Sequence, residues 1–309
     1  MPSRRVFLKQ SLVGATAVTI APQLIWANKP PIKLVILHTN DMHSRIEPFP
    51  EDGRRNAGLG GMARRAALIK KVRQEEAHVL LLDAGDIFQG TPYFNFFGGE
   101  LEFKLMSEMR YDAATLGNHD FDNGVMGLKK MLPFARFPFL VSNYTFSQDS
   151  ALHNTFLPYK LFERGGLKIG VFGLGIELEG LVPSPLFKGT IYQDPVAVAK
   201  EMVQTLKAKD CDMIICLSHL GYFYKSDKVS DHTIAQQVEG IDLILGGHTH
   251  TFLERPTQLL SPSGDPVFIH QVGWAGLRLG RLEFIFHKGK RKELTQARSL
   301  VIGNESSEK

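Results

Sequence analysis

The chain has 309 residues, of which 43% are hydrophobic and 10% aromatic, so it can bury a sizeable core as one large domain or two smaller ones. Its formal net charge is +4, and no run of Lys and Arg alternates with aromatic residues. These features argue against a surface for nucleic acid.

The first segment, residues 1–28, predicts an export signal rather than a part of the fold. The basic stretch "SRRVFLK" (3–9) precedes the apolar run Leu12–Ile20, and Ala27 comes before a polar, proline-containing stretch. The arginine pair resembles a twin-arginine signal, which exports folded proteins; a chance pair is the alternative. The apolar run is too short for a permanent membrane span, so the membrane is involved only if the signal remains as an uncleaved tether. We therefore expect a periplasmic or otherwise extracytoplasmic protein.

Strand-like apolar runs alternate with helix-like segments from residue 32 onwards. Strands are predicted at 32–40, 78–86, 112–120, 137–143, 167–175, 211–220, 241–250, 265–274 and 278–288. Helices are predicted at 60–77, 99–110, 124–132, 194–209 and 228–238. Apolar strands separated by helices indicate a sheet covered on its faces, and hence an α/β fold. Residues 29–302 are predicted to form one domain, followed by a disordered tail at 303–309.

Clusters of Asp, Asn and His follow the C-terminal ends of five predicted strands, where open α/β sheets bind ligands. A lone histidine after a strand is more often a packing residue than a ligand. Five clusters together, however, bring in more carboxylates and imidazoles than a buried site holds without a compensating charge. The candidate donors are Asp41, His43, Asp86, Asn118, His219, His248 and His250. The histidines without such a setting, predicted to be ordinary core or surface residues, are His38, His78, His153, His232, His270 and His287.

The donor types indicate which metals are suitable. Asp, Asn and neutral imidazole without thiolate suit divalent ions such as Zn, Mn, Fe or Co. Seven or eight donors are too many for one tetrahedral ion, and they suit two ions about 3.5–4 Å apart that share a bridging carboxylate. Cys211 and Cys216 flank a predicted strand, and we expect two buried thiols on its opposite faces rather than a disulfide or a zinc-type pair.

Five stretches together carry a resemblance to a known family. They are "ILHTNDMHS", "LDAGDIFQGTP", "LGNHDFDNG", "LSHLG" and "GGHTH". In this order and spacing they resemble the calcineurin-like metallophosphoesterases over about residues 32–290. "GDIFQGTP" and "GNHDFDNG" are most similar to the catalytic domain of the 5′-nucleotidase/UDP-sugar hydrolase branch. The resemblance implies a metallo-dependent phosphatase-like fold, a four-layer α/β/β/α sandwich.

The resemblance also implies a role for each candidate residue. The ligands of the family's first metal correspond to Asp41, His43 and His250. Those of the second correspond to Asn118, His219 and His248, with Asp86 bridging both ions. The catalytic histidine corresponds to His119, and the acid that orients it to Asp122.

Two positions depart from the family's pattern. Asp120 stands where many relatives have Glu, and we do not expect it to be a ligand. His250 stands where some nucleotidases have Gln, which favours metals that prefer nitrogen ligands. The residues that bind the rest of the substrate are not assigned.

The implied reaction is hydrolysis of phosphate monoesters, nucleotides foremost, by attack of a metal-bridging hydroxide. Two divalent ions with the carboxylates Asp41 and Asp86 leave a positive charge that binds a phosphate oxygen, and they lower the pKa of bound water toward neutrality. His119 is expected to stabilise or protonate the leaving group.

Relatives in the nucleotidase branch usually carry a second, C-terminal domain that holds the nucleoside, and the 309 residues do not include one. We expect that a separate protein supplies it, or that the substrates are simpler phosphoesters. The alternatives with the same centre are a phosphodiesterase, a cyclic-nucleotide hydrolase or a sulfate-ester-type hydrolase; a non-catalytic binding protein on this fold is a third hypothesis. The stretch "YFNFFGGE" (93–100) either lines the substrate mouth or packs the start of a helix.

Overall fold

The computed structural model describes residues 30–287 and 292–303. The predicted export signal, residues 1–28, and nearly all of the predicted tail, residues 303–309, lie outside the described residues. Within the described ranges, no helix has both the length and the apolar character needed to cross a membrane.

Helices and strands alternate through most of the described part of the chain. The α-helices are α1 (Met62–Glu75), α2 (Pro92–Phe97), α3 (Glu100–Glu108), α4 (Gly124–Met131), α5 (Pro195–Lys207) and α6 (Asp231–Gln237). The strands are β1 (Ile32–Thr39), β2 (Val79–Asp83), β3 (Ala113–Ala114), β4 (Tyr144–Phe146), β5 (Tyr159–Arg164), β6 (Leu167–Leu174), β7 (Thr190–Tyr192), β8 (Met213–Ser218), β9 (Leu243–Gly246), β10 (Thr257–Leu260), β11 (Pro266–His270), β12 (Arg278–Phe286) and β13 (Glu293–Val301). Short 3-10 helices cover His119–Phe121, Leu132–Phe134 and Ser184–Phe187.

The strands form two main sheets and a separate antiparallel pair, β4 with β7. The first sheet has the order β13-β12-β1-β2-β3, and the second has the order β10-β11-β9-β8-β6-β5. The neighbours β1, β2 and β3 run parallel in the first sheet, as do β6, β8, β9 and β11 in the second. Because parallel strands end at the same edge of a sheet, the loops that follow them gather on one side.

The buried apolar side chains form three layers of contact. Leu34 and Ile36 of β1 point between the two sheets and pack with Ile215 of β8. The other face of the first sheet packs against α1 and α3, and the other face of the second packs against α5 and α6. Burying a Leu or Ile side chain contributes about 1.5–3 kcal/mol, so a sheet buried on both faces is strongly stabilised. The layers confirm the predicted α/β fold with its α/β/β/α sandwich.

Helix α5 shows how a local signal determines a helix start. Asp194 is the N-cap, and its carboxylate accepts a hydrogen bond from the backbone N–H of Val196 at 2.8 Å. Pro195 follows at the first helical position, where its missing N–H is not needed. The predicted cap and first position of the helix are confirmed.

Two predicted strands are much shorter than their apolar runs indicate. The stretch 112–120 pairs only at Ala113–Ala114, because the chain then turns into the loop that carries residues 117–122. The stretch 137–143 makes isolated bridges, Phe139 with Ala114 and Leu140 with Leu157, instead of a strand. Pro138 has no N–H to donate to a ladder, which limits pairing there.

Two smaller expectations have mixed outcomes. Both cysteines are free thiols, as predicted, but Cys211 lies before β8 and is half-buried on the same helix-facing side as the buried Cys216. The opposite-face prediction is therefore wrong, because the strand does not reach back to Cys211. In α2, Phe94 is buried in the core, as expected if the aromatic stretch packs the start of a helix. Phe96 is 81% exposed, so packing does not account for the whole stretch.

His38 and His270 belong to the core, as predicted for histidines outside the strand-end clusters. Both are buried, and His38 Nε2 lies 2.8 Å from His270 Nδ1. Since His38 is on β1 and His270 on β11, this hydrogen bond joins the two main sheets.

Candidate metal centre

The nine predicted site residues all lie beyond the C-terminal ends of strands, eight of them on loops and His119 at the start of a 3-10 helix. Asp41 and His43 follow β1, and Asp86 follows β2. The loop after β3 carries Asn118, His119 and Asp122. His219 follows β8, and His248 and His250 follow β9. The two sheets face each other, so these five loops converge on one crevice.

The backbone of these loops is unusual for residues with side chains. Asp41, His43, Asp86, His248 and His250 have φ angles of 49°, 48°, 56°, 71° and 51°. Positive φ is uncommon outside glycine and costs free energy, so the surrounding structure must enforce it. Five of the seven candidate donors share this conformation, which turns their side chains into the crevice instead of continuing the strand.

The first donor group consists of Asp41, His43 and His250. The Nε2 atoms of His43 and His250 lie 2.9 Å apart, and His250 Nε2 lies 3.4 Å from Asp41 Oδ1. Asp41 is buried, while the His250 side chain is 40% exposed. This group therefore forms the more open side of the centre.

The second donor group consists of Asp86, His219 and His248. His219 Nε2 lies 3.1 Å from Asp86 Oδ2, and His248 Nδ1 lies 2.9 Å from Asn118 Oδ1. This contact places Asn118 beside the second donor group. The same Oδ2 atom of Asp86 lies 3.9 Å from His43 Nε2 of the first group. Asp86 stands between the two groups, where a bridging carboxylate is required.

The donor set fits two divalent metal ions. His219 Nε2 is fully buried and faces the Asp86 carboxylate at 3.1 Å, while its other nitrogen, Nδ1, donates to the Ala84 carbonyl at 2.7 Å. A ring with one nitrogen held by a backbone carbonyl and the other directed into the donor group is the usual arrangement of a histidine ligand. Oxygen and imidazole donors without thiolate match the metals expected from the sequence.

The electrostatics of the centre also favour a cation. Burial opposes a charge on His219, but the carboxylates of Asp86 and Asp41 outweigh it and raise the pKa of His219 to about 10. Burial and the nearby His219 lower the pKa of His248 to about 4. A site that draws a proton onto a buried imidazole attracts positive charge in general, which is what a divalent ion supplies.

His119 lies beside the first group and is oriented by Asp122. Its Nδ1 lies 2.9 Å from Asp122 Oδ2, and its ring centroid lies 5.3 Å from that of His43. The hydrogen bond to Asp122 raises the pKa of His119 against the opposing effect of burial. The backbone N–H of His119 donates to Asp86 Oδ1 at 2.8 Å. These contacts place a partly exposed imidazole at the rim of the two donor groups.

Asp120 is a positioning residue whose role was not predicted. It is fully buried, and its carboxylate accepts the backbone N–H groups of Asp86, Ile87, Phe88 and Gly117 at 2.8–3.2 Å. These contacts occupy both oxygens of its carboxylate with backbone donors. They tie the loop of Asp86 to the loop of Asn118 and His119.

Asn40 and Gln271 also hold the donor loops and were missed. Asn40 Nδ2 donates to Asp41 Oδ2 and to the Gly273 carbonyl, both at 2.6 Å. Gln271 Nε2 donates to the Gly247 carbonyl at 2.6 Å. The available signal was the one used for the ligands, since Asn40 follows β1 and Gln271 follows β11.

Two glycines are required by close approach rather than by an unusual φ. A Cβ at Gly117 would overlap Asp86 Oδ1, and a Cβ at Gly247 would lie 2.8 Å from His219 Nδ1. Both glycines therefore leave room for donor side chains from other loops.

Comparison with known proteins places the chain in a family. A family model described as calcineurin-like phosphoesterase matches residues 34–252. The chain is 38% identical over 275 residues to the snake venom 5′-nucleotidase of Crotalus adamanteus, and 37% identical over 266 residues to the 5′-nucleotidase of Homo sapiens. Each alignment covers 82% of this chain and 45% of the relative, so the chain spans about half the length of the curated relatives it matches.

Solved structures show the same similarity. The 5′-nucleotidase precursor of Thermus thermophilus has a TM-score of 0.81 at 33% identity, covering 89% of this chain and 55% of that one. The NAD nucleotidase of Haemophilus influenzae has a TM-score of 0.78 at 30% identity, covering 89% and 51%. With the family match spanning most of the two-sheet core and all the loops of the centre, the chain belongs to the calcineurin-like phosphoesterases.

Proposed function

We propose that the chain is a metal-dependent phosphoesterase that hydrolyses phosphate monoesters, nucleotides foremost. The observation that carries this proposal is the convergence of two donor groups on Asp86, with His119 beside them. The relatives named 5′-nucleotidase, at 37–38% identity, support nucleotides as the substrate class.

The donor residues have distinct tasks in this proposal. Asp41, His43 and His250 would hold one ion, Asn118, His219 and His248 the other, and Asp86 would contact both. When bound, two divalent ions supply positive charge for phosphate oxygens and lower the pKa of water so that a nucleophile forms near neutral pH. The buried carboxylates keep the donor side chains together and limit the net charge of the loaded centre.

His119 would act on the leaving group. Its imidazole is partly exposed, and its hydrogen bond to Asp122 favours the protonated form. Asp122 fixes the ring through Nδ1, so Nε2 is the nitrogen available to the substrate. A protonated imidazole at that position stabilises or protonates the oxygen that leaves with the alcohol.

A second candidate reaction is the cleavage of diphosphate diesters. The structural relative named NAD nucleotidase, at 30% identity, favours this reaction because its name refers to a dinucleotide. The same donor groups would serve both reactions.

An activity panel tests the proposed function. Purified protein would be assayed with AMP, UDP-glucose, cyclic AMP and p-nitrophenyl phosphate, each with and without a metal chelator. Chelator-sensitive release of phosphate from AMP and p-nitrophenyl phosphate is expected. Preferential cleavage of UDP-glucose would support the second candidate, and no chelator-sensitive hydrolysis of any ester would contradict both.

We also propose, from the sequence, that the protein is exported and that it has a partner protein. The signal at residues 1–28 would deliver the folded, metal-loaded chain to the periplasm, and fractionation of cells expressing the full chain tests this. A separate protein that supplies a nucleoside-binding domain is compatible with the longer relatives, and co-purification with the full chain tests it.

A further inference from the structure

Arg45 carries a positive charge that no described residue pairs. It follows the candidate ligand His43 by two residues and is half-buried. Its Nε is buried without a hydrogen-bond partner, and its guanidinium makes no ion pair within residues 30–287 and 292–303. A guanidinium nitrogen removed from water without an acceptor costs free energy, so an anionic partner would stabilise this arrangement.

The guanidinium is held by packing on an aromatic ring. Arg45 Cζ lies 4.2 Å from the centroid of Phe49, within the range of a cation–π contact. Phe49 is itself fixed, because its N–H donates to the Leu59 carbonyl at 2.8 Å and its carbonyl accepts from Gly58 at 3.1 Å. Arg45 therefore has a defined position without an acidic neighbour to hold it.

A row of rings connects this position to the first donor group. The Phe49 centroid lies 5.9 Å from that of Trp274, and Trp274 stacks on His250 at 5.8 Å with an interplanar angle of 10°. The backbone beside Trp274 is tied to the centre, since the Ala275 N–H donates to the Asp41 carbonyl at 2.7 Å. The row connects Arg45, through Phe49 and Trp274, to His250 on the open side of the candidate metal centre.

We propose that Arg45 and Phe49 form a subsite for a second phosphate group of the substrate, while the first phosphate occupies the metal centre. This inference rests on the proposed function. A guanidinium presents paired N–H donors that match phosphate oxygens. The acid nearest in sequence, Glu47, is directed to the Tyr93 hydroxyl at 3.3 Å and leaves Arg45 available.

The substrate class follows from this subsite. Nucleotides with two phosphate groups, either linked as a diphosphate or placed at the 3′ and 5′ positions, are expected to bind more tightly than monophosphates. The two arrangements differ in the distance between phosphates, so a test needs both.

Inhibition constants of three nucleotides test the subsite. AMP, ADP and adenosine 3′,5′-bisphosphate would compete with p-nitrophenyl phosphate in the wild-type chain, Arg45→Gln and Arg45→Lys. We expect Arg45→Gln to raise the constant of ADP or of the bisphosphate about tenfold, equivalent to about 1.4 kcal/mol, with AMP changed less than about twofold. Arg45→Lys keeps the charge but loses the paired donors, and an intermediate loss is expected.

The matched control is Arg55→Gln, which removes the same charge from an exposed arginine in the same connection between β1 and α1. It should leave all three constants unchanged. An equal effect of Arg45→Gln on all three nucleotides, or no effect on any, would overturn the subsite. If p-nitrophenyl phosphate is not hydrolysed, the proposed function fails instead, and calorimetric dissociation constants of the same nucleotides on the metal-loaded chain still decide the role of Arg45.

Discussion

His119 combines the two properties that a proton donor to a leaving group needs. It is partly exposed at the rim of the donor groups, and Asp122 fixes both its orientation and its preference for the charged form. Neither donor group in the structure includes the His119 side chain. Its contribution to catalysis can therefore be separated from metal binding.

Replacing His119 with alanine tests this separation. We expect His119→Ala to lower kcat by about 10²–10⁴-fold, the usual contribution of a general acid, with the metal content unchanged. Steady-state kinetics and elemental analysis of the same preparation give the two quantities. Asp122→Asn should cause a smaller fall in kcat, because the ring remains but loses its orienting carboxylate. Turnover equal to that of the wild-type chain would remove His119 from the mechanism.

His248 and His250 lie one residue apart in sequence but belong to different donor groups. Two residues on one strand would point to the same face, whereas here positive φ at both positions turns the side chains apart. Of the two glycines before them, Gly247 allows His219 and Asp41 to approach closely, and Gly246 leaves room for Asp231. The two histidines therefore contribute to two donor groups, although they are close in sequence.

Single alanine substitutions at these histidines should affect different ions. His248→Ala and His250→Ala are each expected to lower the metal content from about two ions per chain to about one, while the double substitution removes both. Cobalt loading, followed by absorption spectroscopy, should give different residual spectra for the two variants, because the remaining ligands differ. His153→Ala, at an exposed histidine, is the control. Full occupancy with a loss of stability in both variants would show that these histidines only pack.

At the scale of elements, Asp120 determines how two loops fit together. Burial and the charge of Asp86 raise the pKa of Asp120 to about 7, while its hydrogen bonds to Gly117 and Phe88 oppose this shift. Its carboxylate accepts three backbone N–H groups from the loop after β2 and one from the loop after β3. The position of Asp86 relative to Asn118 depends on this junction.

Substitution of Asp120 by asparagine should loosen the junction. One oxygen becomes an N–H₂ group that faces backbone donors, so the free energy of unfolding is expected to fall by about 1–3 kcal/mol. Denaturant unfolding in the presence of chelator measures this effect without the contribution of metal. Asp120→Glu keeps both acceptor oxygens and should retain more metal than Asp120→Asn. Unchanged unfolding and metal content in Asp120→Asn would show that the loops are held by other contacts.

Elements with local sequence signals were predictable, whereas elements that depend on distant contacts were not. The strand β1 and the helix α5 were predictable, because an apolar run and a capping residue are local signals. The run at 137–143 has the same apolar character, but its pairing depends on Pro138 and on neighbours far away in the chain. Asn40 lies at a strand end, as the candidate ligands do, but its holding role depends on Val272 and Gly273, more than 200 residues away in sequence.

At the scale of the whole molecule, the two sheets make the site predictable in outline. Parallel strands at the centre of each sheet end on one side, so polar clusters after β1, β2, β3, β8 and β9 must meet. The detailed arrangement of the donor side chains was not predictable. The positive φ angles and the stacking of Trp274 on His250 arise from packing between loops. The same packing creates the position of Arg45.

The crevice also links metal binding to the stability of the whole fold. Loops from both sheets contribute donors, so each ion would bridge segments that separate on unfolding. An ion present at about 100 times its dissociation constant stabilises the folded state by about 2.7 kcal/mol. In a chain of this size each kcal/mol shifts the Tm by about 2–4 °C, so removal of one ion should lower it by about 5–10 °C.

Thermal unfolding with and without chelator measures this link. We expect the wild-type chain to lose Tm on chelation and to regain it when Mn or Zn is added in excess. The double variant at His248 and His250 should show little change under the same treatment, because it binds neither ion tightly. Calcium is a suitable control ion, since it prefers oxygen ligands and larger coordination numbers than this imidazole-rich centre offers. A wild-type Tm that does not respond to chelator, in protein shown to contain metal beforehand, would mean that the ions bind without bridging the two sheets.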